Sequence, residues 1–101
     1  MIVEISARHG TLREDLRAYV ESRVERFSRL YSKLTKIEVI FDHVRANTVV
    51  EVVLHADHKH LFVVSEENPD PRAAADGALK AAEERLRRYK ERLRDWQHGQ
   101  I

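Results

Sequence analysis

The hydrophobic positions of this chain repeat with two periods, every second residue in some segments and every third or fourth in others. Residues 2–6 are short and β-branched, with Val3 and Ile5 on one face, which is typical of a β-strand. In residues 36–42, apolar side chains alternate with residues that include two acids. This alternation predicts a second strand that buries one face and exposes the other.

Two further strands are predicted in the middle of the chain, joined by a tight turn at residues 57–58. In residues 47–56, every second residue from Val50 to Ala56 lies on one apolar face, as expected for a strand that packs on a core. Residues 59–66 form another apolar run, but its alternation is poor. The pattern therefore predicts a strand there without fixing which of its side chains point to the core.

A first helix is predicted from about residue 12 to residue 31. Thr11 and Glu14 match a capping box, in which each side chain accepts a hydrogen bond from a free backbone N–H at the helix start. The apolar positions recur every three or four residues and form one stripe for burial. They are Leu16, Val20, Val24, Phe27, Tyr31 and Leu34.

A second, longer helix is predicted from Pro71 to about Trp96. Asp70 can cap it, and Pro71 takes the first helical position, where a missing N–H costs nothing. Gly77 weakens the helix by only about 1 kcal/mol relative to alanine. The 4-3 spacing of its apolar residues favours packing on a sheet over a coiled coil, which needs a longer repeat. These residues are Ala75, Leu79, Ala82, Leu86, Tyr89, Leu93 and Trp96.

The predicted order of elements places the chain in the α+β class, as β-α-β-β-β-α, a four-stranded sheet with two helices packed on one face. The length of 101 residues fits one domain, predicted at residues 1–97, followed by a disordered tail at residues 98–101. No segment has the pattern of a secretion signal or of a membrane span, and there is no cysteine. We therefore expect a cytoplasmic protein without disulfides.

Charge is unevenly distributed along the chain, although the net charge is only +1. Residues 34–71 carry three basic and seven acidic side chains, whereas residues 84–94 carry six basic and two acidic ones. A polyanion responds to such local potential more than to net charge. The second helix is therefore the strongest candidate for a binding surface.

The basic residues of this helix lie away from its apolar stripe. Arg85, Arg88 and Arg92 share one side because they are spaced by three and four residues. The other flank carries Arg87, Lys90 and Arg94. The planar guanidinium group suits bidentate contacts with phosphate. As an alternative, Glu84 and Glu91 could pair with arginines one turn away and leave an ordinary solvated helix face.

Other chemistry has weaker support. His55, Asp57, His58 and His60 lie within six residues, so a zinc site at the predicted turn is a further hypothesis, although no cysteine or glutamate completes its ligand set. The serines lack a triad or nucleophile-elbow pattern, and the three glycines are isolated, so no phosphate-binding loop exists. We expect a non-enzymatic protein with no cofactor, no metal and no small-molecule substrate.

Five segments of the chain resemble the bacterial ribosome hibernation-promoting factors, also called ribosome-associated inhibitors or sigma-54 modulation proteins. They are residues 5–20, 26–31, 37–40, 74–79 and 84–94, in the order and spacing of that family. The family's long form has a second, C-terminal domain that pairs ribosomes. Because this chain ends at residue 101, it resembles the short form, and ribosome dimerisation would depend on another hibernation factor.

The resemblance implies a fold similar to that of double-stranded-RNA-binding domains. It also implies that the protein binds ribosomal RNA of the small subunit in the channel used by mRNA and tRNA, which blocks translation during stress or stationary phase. Two departures from the family pattern are Ala81 and Glu84, where Lys and Arg are common. They favour an alternative, a protein-interaction module of the same fold without ribosome binding.

The predicted RNA contacts come from both helices. Those of the second helix that match basic positions of the family are Arg88, Lys90, Arg92 and Arg94. The same helix adds Arg72, Arg85 and Arg87, and the first helix and its end add Arg13, Arg17, Arg26, Arg29 and Lys33. Asp76 matches an acid of the family's Ala-Ile-Asp segment.

Overall fold

The structure is a computed structural model that describes residues 1–57 and 59–99. Its strands are β1 (Ile2–Ala7), β2 (Leu34–Val44), β3 (Asn47–Ala56) and β4 (His60–Asn68), and its helices are α1 (Glu14–Val24), α2 (Phe27–Leu30) and α3 (Pro71–Gly99). The α+β class and the four-stranded sheet are confirmed. His58 of the predicted turn and residues 100–101 of the predicted tail (98–101) lie outside the described residues, and the domain boundary stays a prediction.

The strands form one sheet in the order β1-β2-β3-β4. β1 pairs with β2 in parallel, and the other two pairs are antiparallel. The parallel pair is possible because the helical segment between β1 and β2 carries the chain back to the start of the sheet. The result is a mixed sheet with β1 and β4 at its edges.

All three helices lie on one face of the sheet, which we call the helix side. β3 supplies Val50, Val52, Leu54 and Ala56 to this face, and all four are fully buried. The predicted face of residues 47–56 is therefore confirmed. α3 packs across β3 and β4 with the predicted stripe from Ala75 to Tyr89, which is buried, and Leu93 packs at the edge of this core. Burial on the sheet explains the 4-3 spacing without a coiled coil.

The first helix differs from the prediction in two ways. It begins at Glu14 with Arg13 at the N-cap and no side-chain cap, so the predicted capping box of Thr11 is wrong. The predicted single helix to residue 31 is also wrong, because the backbone tightens after Val24, where the N–H of Arg26 bonds to the carbonyl three residues earlier. This tighter turn keeps Val24 and Phe27 on the same side of the chain, and both are buried.

The start of α3, the second helix of the prediction, lies where the sequence placed it. The backbone N–H of Arg72 donates to the carboxylate of Asp70 at 3.1 Å, and Pro71 opens the helix. An acidic cap at this end also interacts favourably with the helix dipole.

The structure fixes the register of β4, which the sequence pattern left open. Ala56 pairs with His60 and Leu54 with Phe62, so His60, Phe62 and Val64 point to the helix side. Leu61 and Val63 consequently lie on the opposite face, which none of the helices in the described residues covers, and are more than half exposed. Apolar residues on both faces of this edge strand explain why its alternation was poor.

Candidate nucleic-acid interface

The outer surface of α3 carries two basic flanks on either side of its buried stripe. The flank towards β4 contains Arg85, Arg88 and Arg92, and we call it the inner flank. The guanidinium carbon of Arg85 lies 4.7 Å from the ring centroid of Phe62, which fixes the position of this half-buried side chain. Arg88 and Arg92 are exposed. The sequence-predicted cations of this flank are therefore brought together on one side of a rigid element.

The opposite, outer flank of α3 contains Arg87, Lys90 and Arg94, all of which are exposed. Together with Glu91 they line a shallow cleft of about 310 Å³. Three cations against one carboxylate give this cleft a net positive charge. It can accept an anionic group such as a phosphate.

Ion pairing within α3 neutralises little of this charge. In the described part of the chain, the one ion pair inside α3 joins Arg87 to Glu83 at 3.3 Å. The predicted alternative pairs, Glu84 with Arg88 and Glu91 with Arg94, are not formed. Since an exposed pair of this kind contributes little free energy, Arg87 also stays available to a phosphate.

A second group of charged side chains joins the beginning of α3 to α1. Asp76 accepts hydrogen bonds from the hydroxyl of Tyr19 at 2.5 Å and from the guanidinium of Arg23 at 2.7 Å. The guanidinium carbon of Arg72 lies 3.9 Å from the ring centroid of Tyr19. Arg23 was not among the predicted contacts, and its half-buried pair with Asp76 gives it a packing role between the helices.

Two of the predicted contacts from the first helix are engaged within the protein. Arg13 pairs with Asp15 at 3.2 Å, and Arg17 donates to the backbone carbonyl of Ile5 on the edge strand at 2.8 Å. Arg13 and Arg72 line a small cleft of about 220 Å³ that also contains Asp15 and Asp70. This end of the molecule carries charges of both signs, and it lies about 20 Å along α3 from the basic flanks.

The remaining predicted contacts, Arg26, Arg29 and Lys33, are exposed. The backbone carbonyl of Lys33 accepts a hydrogen bond from the N–H of Asp57 at 3.2 Å, which brings this lysine to the β3–β4 turn. The structure thus adds Lys33 to the end of the molecule that carries Tyr89 and the basic half of α3.

A junction at Asp57 connects three elements of the fold. Its carboxylate accepts hydrogen bonds from Tyr31 at 2.6 and 2.8 Å and from Tyr89 of α3. The two rings meet edge to face with centroids 5.8 Å apart. The hydrogen bonds from Tyr31 and Tyr89 hold the pKa of Asp57 below its usual value, and burial raises the pKa of Tyr89 to about 12. At neutral pH Asp57 is therefore an anion and Tyr89 a stable donor.

Sequence reasoning missed this junction and the aromatic group beside it. The ring of Tyr89 lies 5.0 Å from those of both His60 and Phe62, centroid to centroid. The spacing of His60 and Phe62 places both on one face of a strand. Whether that face contacts α3 depends on the register of β4, which the sequence pattern left open. The available signal was a pair of rings at positions i and i+2.

His55 and His60 do not converge as the zinc hypothesis required. His55 lies on the uncovered face, where its ring nitrogen is 2.7 Å from a carboxylate oxygen of Glu38, whereas His60 lies on the helix side. His58 is outside the described residues. Among residues 1–57 and 59–99 no three His, Asp or Glu side chains form a group suited to a metal ion.

Comparison with known proteins places this fold and basic helix in a family. The family described as "Sigma 54 modulation protein / S30EA ribosomal protein" matches residues 3–94. The chain belongs to this family. Its description names a modulation protein and a ribosomal protein, and no enzyme.

A curated relative is the ribosome hibernation promoting factor of Azotobacter vinelandii, which is 29% identical over 100 residues, or 99% of this chain and 92% of the relative. The N-terminal domain of Protein Y from Thermus thermophilus superposes with a TM-score of 0.77 at 23% identity, over 88% of this chain and 99% of that domain. A ribosomal subunit interface protein from Coxiella burnetii gives 0.80 at 17% identity, over 90% and 99%. At these identities the two structures show a shared fold.

No helix in the described residues has the length and apolar character needed to cross a membrane.

Proposed function

We infer that this protein is a ribosome hibernation factor that binds small-subunit ribosomal RNA in the channel for mRNA and tRNA and so blocks translation under stress. Membership of the family and the name of the Azotobacter relative support ribosome association. The observation that carries the RNA contact is the surplus of unpaired cations on the exposed flanks of α3. Cytoplasmic location and cooperation with another hibernation factor belong to the same proposal.

The proposed mechanism is electrostatic docking followed by steric exclusion. α3 is a continuous helix of 29 residues, so its cations are held at fixed spacing on a rigid support. Each phosphate contact releases counterions from the RNA, which drives binding at low salt and weakens it at high salt. The occupied channel then has no room for mRNA and tRNA, and no covalent chemistry is required.

The charge on the face of the sheet opposite the helices indicates which side of the protein meets the RNA. The uncovered face carries Glu4, Glu38, Glu51 and Glu67, and the cations beside them, Lys36 and Arg8, offset only part of this negative charge. An acidic surface repels RNA phosphates, whereas the helix side attracts them. The helix side therefore faces the RNA in the proposed complex.

Co-sedimentation with purified small ribosomal subunits over a range of salt concentrations tests this proposal. The variant with Arg88→Gln and Arg92→Gln removes two charges from the inner flank. Arg45→Asp is the matched control, since it changes the net charge equally at the β2–β3 turn, the end of the hairpin opposite to Asp57. Arg45 has φ 60°, a conformation that aspartate tolerates better than most residues.

We expect the double variant to bind roughly 10-fold more weakly or worse near 0.1 M salt, because two phosphate contacts are lost. The Arg45 variant should pellet like the wild type. Equal losses in the two variants would show that net charge alone matters and would contradict the proposed surface. A wild-type protein that does not pellet with subunits at low salt would contradict the function and leave the protein-interaction module as the better interpretation.

A further inference from the structure

A recess opens between the inner flank of α3 and the helix side of β4. It has a volume of about 340 Å³ and is lined by His60, Phe62, Tyr89, Arg92 and Leu93. Most of its lining is carbon, and the one formal charge comes from Arg92. Ligand sites in proteins span about 300–1,000 Å³, so this recess suits a single ring system better than a large molecule.

Three aromatic rings form the floor and wall of the recess. The ring of Tyr89 is buried and lies 5.0 Å from those of Phe62 and His60, centroid to centroid. The rings of His60 and Phe62 are nearly parallel, with an angle of 6° between their planes and centroids 6.2 Å apart. Phe62 is half-buried and His60 exposed, so aromatic surface continues from the core to solvent.

The ring of Tyr89 is held in place before any ligand arrives. Its hydroxyl donates to Asp57, which also accepts from Tyr31, so rotation of Tyr89 would break a junction of three elements. Burial keeps the pKa of Tyr89 near 12, so this donor persists at neutral pH. A ring that is already fixed loses little conformational entropy when a flat ligand stacks on it.

Cations of α3 lie along one side of the recess. Arg92 is part of its lining, and Arg85 is held over the ring of Phe62. Arg88 lies between them in the sequence and on the same side of α3. An apolar peptide side chain would gain nothing from this charge, whereas a nucleotide carries a flat ring and a phosphate on either side. The combination therefore favours a nucleotide of a nucleic-acid strand as the occupant.

We propose that this recess is a stacking site for one unpaired base of the bound RNA, with Arg88 and Arg92 holding the adjoining phosphates. The proposal rests on the proposed function and deepens it, because it assigns a base contact to a surface otherwise argued from phosphate contacts alone. A paired base is stacked inside its helix and cannot enter, so the occupant comes from a loop, a bulge or a single strand.

The affinities of two single-stranded oligomers test the proposal. One is a short RNA, and the other is the same ribose-phosphate chain without any bases, so that both carry equal charge and no shift in register can hide the effect. Stacking predicts that the wild-type protein binds the RNA about 10-fold more tightly. Phe62→Leu keeps an apolar side chain but removes the ring, and it should bring the two affinities together.

Two further variants keep the test independent of folding. His60→Ala alters an exposed side chain of the recess and should reduce the preference for the RNA over the base-free chain. Arg94→Gln lies on the outer flank, so it should weaken both oligomers equally and leave their ratio unchanged. Equal affinity of the wild type for the two oligomers would overturn the stacking site, and an unchanged ratio in both recess variants would overturn its location.

Failure of this inference is distinguishable from failure of the proposed function. Wild-type protein that pellets with small subunits but shows no preference for bases contradicts the stacking site alone. A preference for bases without any binding to subunits supports the recess and contradicts the proposed function.

Discussion

The two faces of the sheet share the same strands but differ in almost every other respect. On the helix side, side chains such as Leu54 and Val52 are fully buried under α3. The opposite face is the uncovered face described above, and we call it the open face. There the same strands present Glu38, Glu51 and His55, with Val53 buried among its neighbours. Strict alternation along β2 and β3 therefore builds a core and a hydrophilic surface from one set of residues.

The comparison also explains where the negative charge of residues 34–71 goes in the folded protein. Its acids on the open face are held by local partners, with Lys36 3.9 Å from Glu38 and Arg8 3.6 Å from Glu51. Asp42 accepts a hydrogen bond from His9 at 2.8 Å, which lowers its pKa. Because these acids lie across the sheet from α3, they do not neutralise its cations. Four of the seven acids of residues 34–71 thus lie on the face opposite to α3, namely Glu38, Asp42, Glu51 and Glu67.

The largest expected difference between the two faces concerns stability. Leu54→Ala opens a cavity in the core of the helix side and should lower the free energy of unfolding by about 2–5 kcal/mol. Leu61→Ala makes the same chemical change on the open face, where the side chain is 57% exposed. It should change the free energy by no more than about 0.5 kcal/mol. Urea unfolding measures both, and similar losses would contradict the assigned register of β4.

A smaller effect is expected at the junction at the end of the helix side. Asp57→Asn removes its charge and should lower the free energy of unfolding by about 1 kcal/mol. Asp57 has φ 52°, a conformation that asparagine also tolerates. Since the folded-state pKa of Asp57 is lowered, the unfolded chain takes up the proton first as pH falls. Its stabilisation is present at neutral pH and is lost below about pH 4, towards the folded pKa.

Unfolding measured from pH 7 to pH 3 therefore tests the junction. The difference in stability between wild type and Asp57→Asn should shrink as the pH falls through this range. A difference that stays constant with pH would show that the charge of Asp57 contributes nothing.

A moderate effect is expected in the salt dependence of binding, which should distinguish α3 from the surface at the β2–β3 turn. Arg94→Gln removes one proposed phosphate contact, so the slope of log K against log salt for binding to small subunits should become shallower by about 0.7–0.9. Arg45→Asn removes one charge at the β2–β3 turn, away from α3, and should leave the slope unchanged. Equal changes in the two slopes would mean that the contact surface is not confined to α3.

The smallest expected effect concerns how closely α3 lies on the sheet at Gly77. An added Cβ would lie 3.2 Å from Cγ of Glu66, an exposed and flexible side chain that can move away. Alanine is favoured over glycine in a helix by about 1 kcal/mol. We therefore expect Gly77→Ala to raise the free energy of unfolding by less than this amount. A clear loss in thermal unfolding would show that Glu66 cannot yield at this contact.

Much of the fold could be predicted from local patterns. Alternation identified β2 and β3, and the 4-3 spacing identified the buried stripe of α3. The cap formed by Asp70 needed only the adjacent residues, because its hydrogen bond spans two positions. The break between α1 and α2 and the unused Thr11 were not predicted, since both depend on how the helix end meets the core.

The candidate site was predicted only in part for a related reason. The cations of α3 were visible in the sequence, as their spacing alone places them on two flanks. The engagement of Arg17 with β1 and of Arg23 with Asp76 was not visible, because each joins residues that are distant in the chain. The recess likewise joins His60 and Phe62 of β4 to Tyr89 of α3.

Apart from the break between α1 and α2, the sequence by itself determined which segments are strands and helices and where positive charge accumulates, since hydrophobic period and charge are local properties of the chain. Tertiary structure alone decided which side chains of β4 meet α3 and which cations remain free. A shift of one residue in the pairing of β4 would send His60 and Phe62 to the open face. The register is fixed by pairing with β3 and packing under α3, and these contacts exist only in the folded molecule.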